Sequence, residues 1–281
     1  MWSPRGCQPI SQSYRRGVPE GDTVYLTGKR LNAALAGQRL VRGELRHPSL
    51  VEHDLAGCTV LAVRTVGKHL LTQLDDGNTL HSHLRMDGSW HLYRPGDRWR
   101  EPTHAARVVL ATAERVAVGF RLHDLKLVPT AREHRLVEHL GPDLLDPGWS
   151  RQHLAEGLRR LQAQPETPVG LALLDQRIVA GVGNLYRCEV CFLLGVSPFA
   201  PVSALADPAR AIELSRELLL RNADRPQQST TGELRRGRQH WVYGRGGQPC
   251  RRCGTKIVRA EQGDDIYARV VYYCPRCQAL P

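Results

Sequence analysis

The sequence predicts an α+β fold in two domains on three observations: one amphipathic helix followed by short β-rich runs, a change to helical periodicity near residue 130, and two Cys-x2-Cys pairs close to the C-terminus. The chain has 281 residues, enough for about two domains of roughly 150 residues, each with its own core. Pro19-Glu20-Gly21-Asp22 places a proline and acidic groups at a helix start, Val24, Leu31 and Leu35 follow at helical spacing, and Gly37 stops the helix. Residues 59–66, 69–74, 80–84, 107–112 and 115–122 read as short strands, with Asp76-Gly77 and Ala113-Glu114 at hairpin turns, which suggests a β-sandwich. Leu140-Gly141-Pro142-Asp143 is a breaker, after which 152–161, 169–179, 184–194 and 208–221 read as helices. A polar stretch over 222–239 leads into a hairpin with strands at 256–260 and 266–273. The division expected is an untranslated or disordered extension over 1–18, a β-sandwich domain over 19–130, a helical domain over 131–239 and a finger over 240–281.

Hydrophobic residues at 41% and charged residues at 24% exclude wholesale disorder and a collagen-like fibre. No window approaches the roughly 20 apolar residues needed to cross a bilayer, and residues 1–17 lack the apolar segment of a signal peptide, so a cytoplasmic, nucleoid-associated protein with no membrane partner is expected. Lys and Arg number 39 against 28 Asp and Glu, a net charge of +11 that suits a polyanion such as nucleic acid. Arginine dominates, with lysine only at positions 29, 68, 126 and 256, so the sign of the charge is informative and the preference for arginine is not.

Cys250-Arg-Arg-Cys253 and Cys274-Pro-Arg-Cys277 read as a tetrahedral zinc site, because four thiolates match the number and softness of ligand that zinc prefers. The zinc is structural, since four protein ligands leave no position for a metal-bound water. Cys188 and Cys191 share that local spacing but lie in an apolar helical run with no partner pair, and read as core cysteines.

Five motifs occur in order: Pro19-Glu20-Gly21-Asp22-Thr23-Val24, Val66-Gly67-Lys68-His69-Leu70-Leu71, Leu173-Leu174-Asp175-Gln176, Val179-Ala180-Gly181-Val182-Gly183-Asn184-Leu185-Tyr186, and the four-cysteine hairpin. Together they resemble the formamidopyrimidine-DNA glycosylase / endonuclease VIII family of base-excision DNA glycosylases, over essentially all of residues 18–281, and most closely its actinobacterial endonuclease VIII type. The resemblance implies a β-sandwich and a helix-two-turn-helix domain with a zinc finger, clamping bent DNA, double- or single-stranded, as a monomer. It also implies extrusion of the damaged nucleotide, whose base–sugar bond is unreachable inside the stack.

The family's nucleophile is an N-terminal proline whose amine attacks C1′, and the matching residue is Pro19. An internal proline nitrogen is an amide with its lone pair delocalised, whereas a free amine titrates near 8. Val18 stands where the family has its initiator methionine, as a GTG start codon would give, so the protein is expected to begin at position 18 and lose that residue. Glu20 matches the acid/base that protonates the sugar ring oxygen, or else is a carboxylate favoured by the helix dipole. Lys68 matches the lysine of β-elimination and phosphate binding, and Arg269 the finger arginine that contacts phosphates and assists δ-elimination. Asn184 follows a glycine turn that lets a phosphate approach while the next helix offers its first amides. Met86 matches the wedge that fills the gap left by the flipped base, and Arg85 a polar DNA contact.

Three departures qualify the match. The purine-specific branch carries Asn-Asp-Pro-Arg-Arg-Phe-Gly where this chain reads His123-Asp124-Leu125-Lys126-Leu127-Val128-Pro129, which favours oxidised pyrimidines and leaves the opposite-strand contact unassigned. His139 stands where some relatives have a DNA-binding arginine, and the 20 residues between Cys253 and Cys274 lengthen the finger loop. The function expected is a bifunctional glycosylase and abasic-site lyase acting by β,δ-elimination. The alternatives are a non-catalytic zinc-finger DNA-binding protein of glycosylase ancestry, and an RNA-binding zinc-ribbon protein that explains the charge and cysteines but not the other motifs.

Overall fold

A computed structural model describes residues 19–264 and 268–279; the extension expected over 1–18 lies outside the described residues. The first helix, α1 (Gly21–Leu35), buries Val24, Leu31 and Leu35 as its spacing requires. Eight antiparallel strands follow: β1 (Arg42–Leu45), β2 (Val60–Val66), β3 (His69–Leu74), β4 (Asn78–His83), β5 (Ser89–Tyr93), β6 (Ala106–Ala111), β7 (Val116–Phe120) and β8 (Asp124–Pro129). They form two four-stranded sheets in the orders β1-β6-β7-β5 and β2-β3-β4-β8. Leu70, Leu74, Leu80 and Leu125 of one sheet share an apolar core with Leu45, Val108, Leu110 and Ala117 of the other, and α1 closes it.

Strands β1, β5 and β8 are additions to the expected set. Strand β8 pairs with β4 from Asn78↔Pro129 to His83↔Asp124 and alternates buried Leu125 with exposed Lys126. It is an edge strand, which is where a terminal proline without an N–H is tolerated.

Beyond a 3-10 turn (Thr130–Leu136) come α2 (Arg151–Gln162), α3 (Val169–Ala172), α4 (Asn184–Leu194) and α5 (Pro208–Asn222). The helix expected over 169–179 is cut to one turn: the Asp175 carboxylate accepts the Arg177 N–H at 2.9 Å, and this side-chain turn captures the backbone before it can continue. The finger is a hairpin of β9 (Val258–Gln262) and β10 (Arg269–Tyr273), β9 displaced two residues C-terminally from the first expected strand, while residues 266 and 267 of the second lie outside the described ones. Its core joins Ile257 and Val271 to Cys188 and Phe192 of α4. Cys188 and Cys191 are fully buried, as expected of core cysteines, and burial pushes the Cys188 thiol up to about 12. Among the described residues no helix is long and apolar enough to cross a membrane.

Candidate active site

The site is built on the N-terminus of α4, where β-sandwich, helical domain and finger meet. Glu20, the residue before α1, is fully buried. Its side chain leaves its own helix uncapped and reaches α4, accepting N–H bonds from Gly183 at 2.9 Å, Leu185 at 2.6 Å and Tyr186 at 3.3 Å. A buried carboxylate needs donors, and the first amides of a helix have no partner within it, so each satisfies the other. The Gly21 N–H adds a backbone bond to the Gly181 carbonyl at 2.9 Å. A Cβ on Gly183 would lie 2.5 Å from the Glu20 carboxyl carbon, so the approach requires glycine there. Burial raises the Glu20 pKa from 4.5 to about 7 against the opposing pull of Lys68.

Lys68 sits in the turn between β2 and β3. Gly67 makes that turn at φ 57° and donates its N–H to Asp143 at 2.8 Å, tying the hairpin tip to the helical domain. The Lys68 ammonium donates to the Val182 carbonyl at 2.6 Å, an oxygen that also accepts from Gln176 at 2.8 Å. Burial lowers the Lys68 pKa while Glu20 and Asp22 hold it up. The pair therefore consists of an acid pushed up and a base pushed down, which narrows the gap between them and lowers the cost of moving a proton. Asp22, also buried, accepts from the Tyr186 hydroxyl at 2.8 Å and Gln228 at 2.9 Å, and burial raises its pKa.

The α4 amides expected to face a phosphate are thus occupied by a carboxylate of the chain itself. Asn184 is engaged as well: its amide donates to the Val270 carbonyl at 2.8 Å and its oxygen accepts from Arg187 at 2.9 Å. Its place is the joint between helix and finger. Arg269 opens β10 beside that joint, exposed, and among the described residues its guanidinium reaches only the Ala268 carbonyl, at 3.4 Å.

On the sandwich side, Met86 protrudes from the β4–β5 turn, 66% exposed, and so is not a core residue. Arg85 precedes it in the left-handed region at φ 50°, its guanidinium paired with Asp124 at 2.6 Å. Pro19 is half-buried immediately before Glu20. In the finger the sulfurs of Cys250, Cys253, Cys274 and Cys277 all lie within 4.8 Å of one another, with Cys250–Cys277 at 3.9 Å and Cys253–Cys274 at 3.5 Å. Tetrahedral zinc with bonds of about 2.3 Å requires sulfurs about 3.8 Å apart, so the four fit one ion.

Three family models match the chain in order: the formamidopyrimidine-DNA glycosylase N-terminal domain over residues 18–126, the formamidopyrimidine-DNA glycosylase H2TH domain over 140–229, and the zinc finger found in FPG and IleRS over 247–280. A probable endonuclease 8 2 of Streptomyces coelicolor is 52% identical over 94% of this chain and 95% of its own length. The chain belongs to the formamidopyrimidine-DNA glycosylase / endonuclease VIII family. A DNA-(apurinic or apyrimidinic site) lyase Nei2 of Mycolicibacterium smegmatis is 43% identical over 93% of this chain and 99% of its own. Among solved structures, Lactococcus lactis formamidopyrimidine-DNA glycosylase bound to DNA with an abasic site superposes with a TM-score of 0.75 at 23% identity, covering 92% of this chain and 99% of that one, and so shares the fold. As a family finger, the four-cysteine cluster holds one structural zinc.

Around this family site the structure adds groups that pattern reading passed over. Arg187, fully buried on α4, holds the Arg269 and Val270 carbonyls at 3.3 and 3.4 Å and Gln262 at 3.0 Å, stitching the helix to both finger strands. Two charges, Arg187 and Glu189, within a largely apolar helical run were the available signal, because buried charges are kept only with partners. His69, beside Lys68, stacks on His81 with ring centres 5.1 Å apart, and His83 and His139 meet it edge-on. Burial pushes His69 down to about 3 and His81 and His83 to about 4, so these three rings are neutral and add no charge beside the lysine.

Proposed function

We propose that this chain is a bifunctional DNA glycosylase and abasic-site lyase of base excision repair that removes oxidised pyrimidines through a Schiff base on Pro19. The observation that carries the reading is the buried Glu20–Lys68 pair on the α4 N-terminus, directly after Pro19. The free secondary amine attacks C1′ as the base departs, the amine N–H proton leaving with the base, and protonated Glu20 delivers its own proton to the ring oxygen as the C1′–O4′ bond breaks, leaving an iminium and a Glu20 carboxylate. Lys68, with its lowered pKa, serves the elimination that follows. Arg269 meets the phosphates flanking the lesion and assists the second elimination, Met86 fills the vacated stack, and Arg85 makes a polar contact to the DNA.

The mature chain on this reading begins at Pro19. Support comes from the chemistry, which an internal proline amide cannot perform, and from the N-terminal family model, whose match begins at residue 18. The preference for pyrimidines is supported by β8, which carries Asp124-Leu125-Lys126 where the purine-specific branch has its arginine-rich segment. The test is excision from duplexes carrying thymine glycol, 8-oxoguanine or an abasic site, by protein exposing Pro19. Faster cutting at thymine glycol than at 8-oxoguanine, with phosphate at both ends of the gap, is expected. Absence of cutting at the abasic site overturns the lyase reading, and a preference for 8-oxoguanine overturns the pyrimidine reading.

A further inference from the structure

Two adjoining grooves of about 590 and 580 Å³ lie on the sheet β1-β6-β7-β5, away from Glu20 and Lys68, and share Arg46 and Thr103. Arginines 42, 46, 98, 100 and 107 border them. Glu44 pairs with Arg42 and Arg46, and Glu101 with Arg121, but neither Arg98 nor Arg107 has an acidic partner among the described residues. Arg107 is fixed by carbonyls, its guanidinium donating to His104 at 2.8 Å and to Ala106 at 3.4 Å, so it is oriented while its charge stays uncompensated. Arg46 is held over the Trp99 ring at 5.6 Å, and Trp99 is anchored edge-on against Phe120. Arginines fixed in this way have already lost much of the rotamer freedom that binding an anion would otherwise remove.

The strand register places these grooves relative to the wedge. Phe120 pairs with Ser89 on one side, just past the Met86 turn, and with Ala106 on the other, so Ser89 and Ala106 are two strand spacings apart, about 10 Å. The Arg46 N–H bonds the Arg107 carbonyl at 2.7 Å, adding about one more spacing. A DNA strand rising about 3.4 Å per nucleotide from the wedge covers that distance in roughly three to four steps.

We infer that this arginine-lined groove is a second DNA subsite, taking the phosphates of the duplex arm that continues from the wedge, three to four nucleotides from the lesion. The inference rests on the proposed reading of the cleft as a DNA site. Arg98 and Arg107 supply charge, and Trp99 positions Arg46 beside them.

The test measures affinity against salt for wild type and for the double variant Arg98→Ala/Arg107→Ala, on an abasic-site duplex with long arms and on two duplexes cut two base pairs beyond the lesion on one side or the other. On the long duplex the variant is expected to bind roughly tenfold more weakly at 0.1 M salt, with the slope of log affinity against log salt smaller by about 2. Removing one particular arm should erase the difference and removing the other should keep it. The Arg98→Lys/Arg107→Lys protein should restore most of the slope. An equal slope for variant and wild type on the long duplex, or a difference that survives removal of either arm, overturns the subsite. Binding requires no chemistry, so failure of the lyase reading shows as absence of cutting and is separate from failure here.

Discussion

Replacing Gly183 by alanine is expected to disable the site while leaving the protein folded, at a modest cost in stability. Gly183 has φ −127° and ψ −161°, extended backbone that alanine adopts freely, so no strain enters through the main chain. The new methyl group would lie 2.5 Å from the carboxyl carbon of Glu20, 2.7 Å from its Cγ and 2.8 Å from Oε1. Carbon atoms rest about 3.5 to 4.0 Å apart, so the carboxylate must retreat by about 1 Å. It has nowhere to go, being fully buried and held by three N–H bonds. Overpacking of this kind costs about 1–3 kcal/mol, and a catalytic group displaced by about 1 Å loses about 100-fold in rate. Single-turnover excision at saturating DNA, with thermal unfolding alongside, should show a large rate loss and a modest fall in melting temperature. An alanine variant cutting within threefold of wild type would refute the claim that Glu20 acts from where α4 holds it.

The remaining expectations concern pH, the lysine, zinc and the wedge. Since the Glu20 pKa is raised to about 7, its proton is lost and excision should fall as pH rises through about 7; a Glu20→Gln variant should lack that limb. The sign for stability is the same, because a carboxyl whose pKa is raised on folding contributes fully below about 4.5 and loses the contribution through about 7, on the order of 3 kcal/mol, measurable by denaturant titration across that range. Lys68 pulls the Glu20 pKa down, so Lys68→Met should move the basic limb of the excision profile upward while slowing elimination. Stripping zinc with a chelator should unfold the finger and abolish DNA binding, followed by release of one zinc per chain; binding that survives complete removal would contradict a structural metal. Met86 is exposed, so Met86→Ala should change stability by less than about 0.5 kcal/mol yet weaken binding to abasic-site duplex several-fold in a titration.

What the sequence disclosed and what it withheld divide along the range of the interactions. Helix α1, the β2–β3 and β6–β7 hairpins, α4 and the cysteine cluster are set by local periodicity, turn residues and ligand spacing, and they stand where those signals put them. Strand β1 is four residues, Arg42–Leu45, with Gly43 packed against Leu55, too short for a pattern to accumulate. Strand β5 keeps most of its residues partly exposed, so its alternation is blurred. The helix expected after Val169 failed because Asp175 offers the backbone a competing hydrogen bond, which apolar periodicity does not register. At the site, motifs pointed to Glu20, Lys68, Asn184 and Arg269, but the pairing of Glu20 with amides more than 160 positions away is a tertiary fact. So is the engagement of Asn184 by the finger, whose Val270 carbonyl accepts from its side-chain amide.

The central claim is that a free amine at Pro19 captures the sugar. The most direct measurement is borohydride trapping on an abasic-site duplex, with protein beginning at Met1 and protein beginning at Pro19, followed by peptide mass mapping of any adduct. A covalent adduct from the second protein alone, with the reduced sugar on the peptide that starts at Pro19, is the predicted result. An adduct of equal yield from both proteins, or one mapped to Lys68, would contradict it.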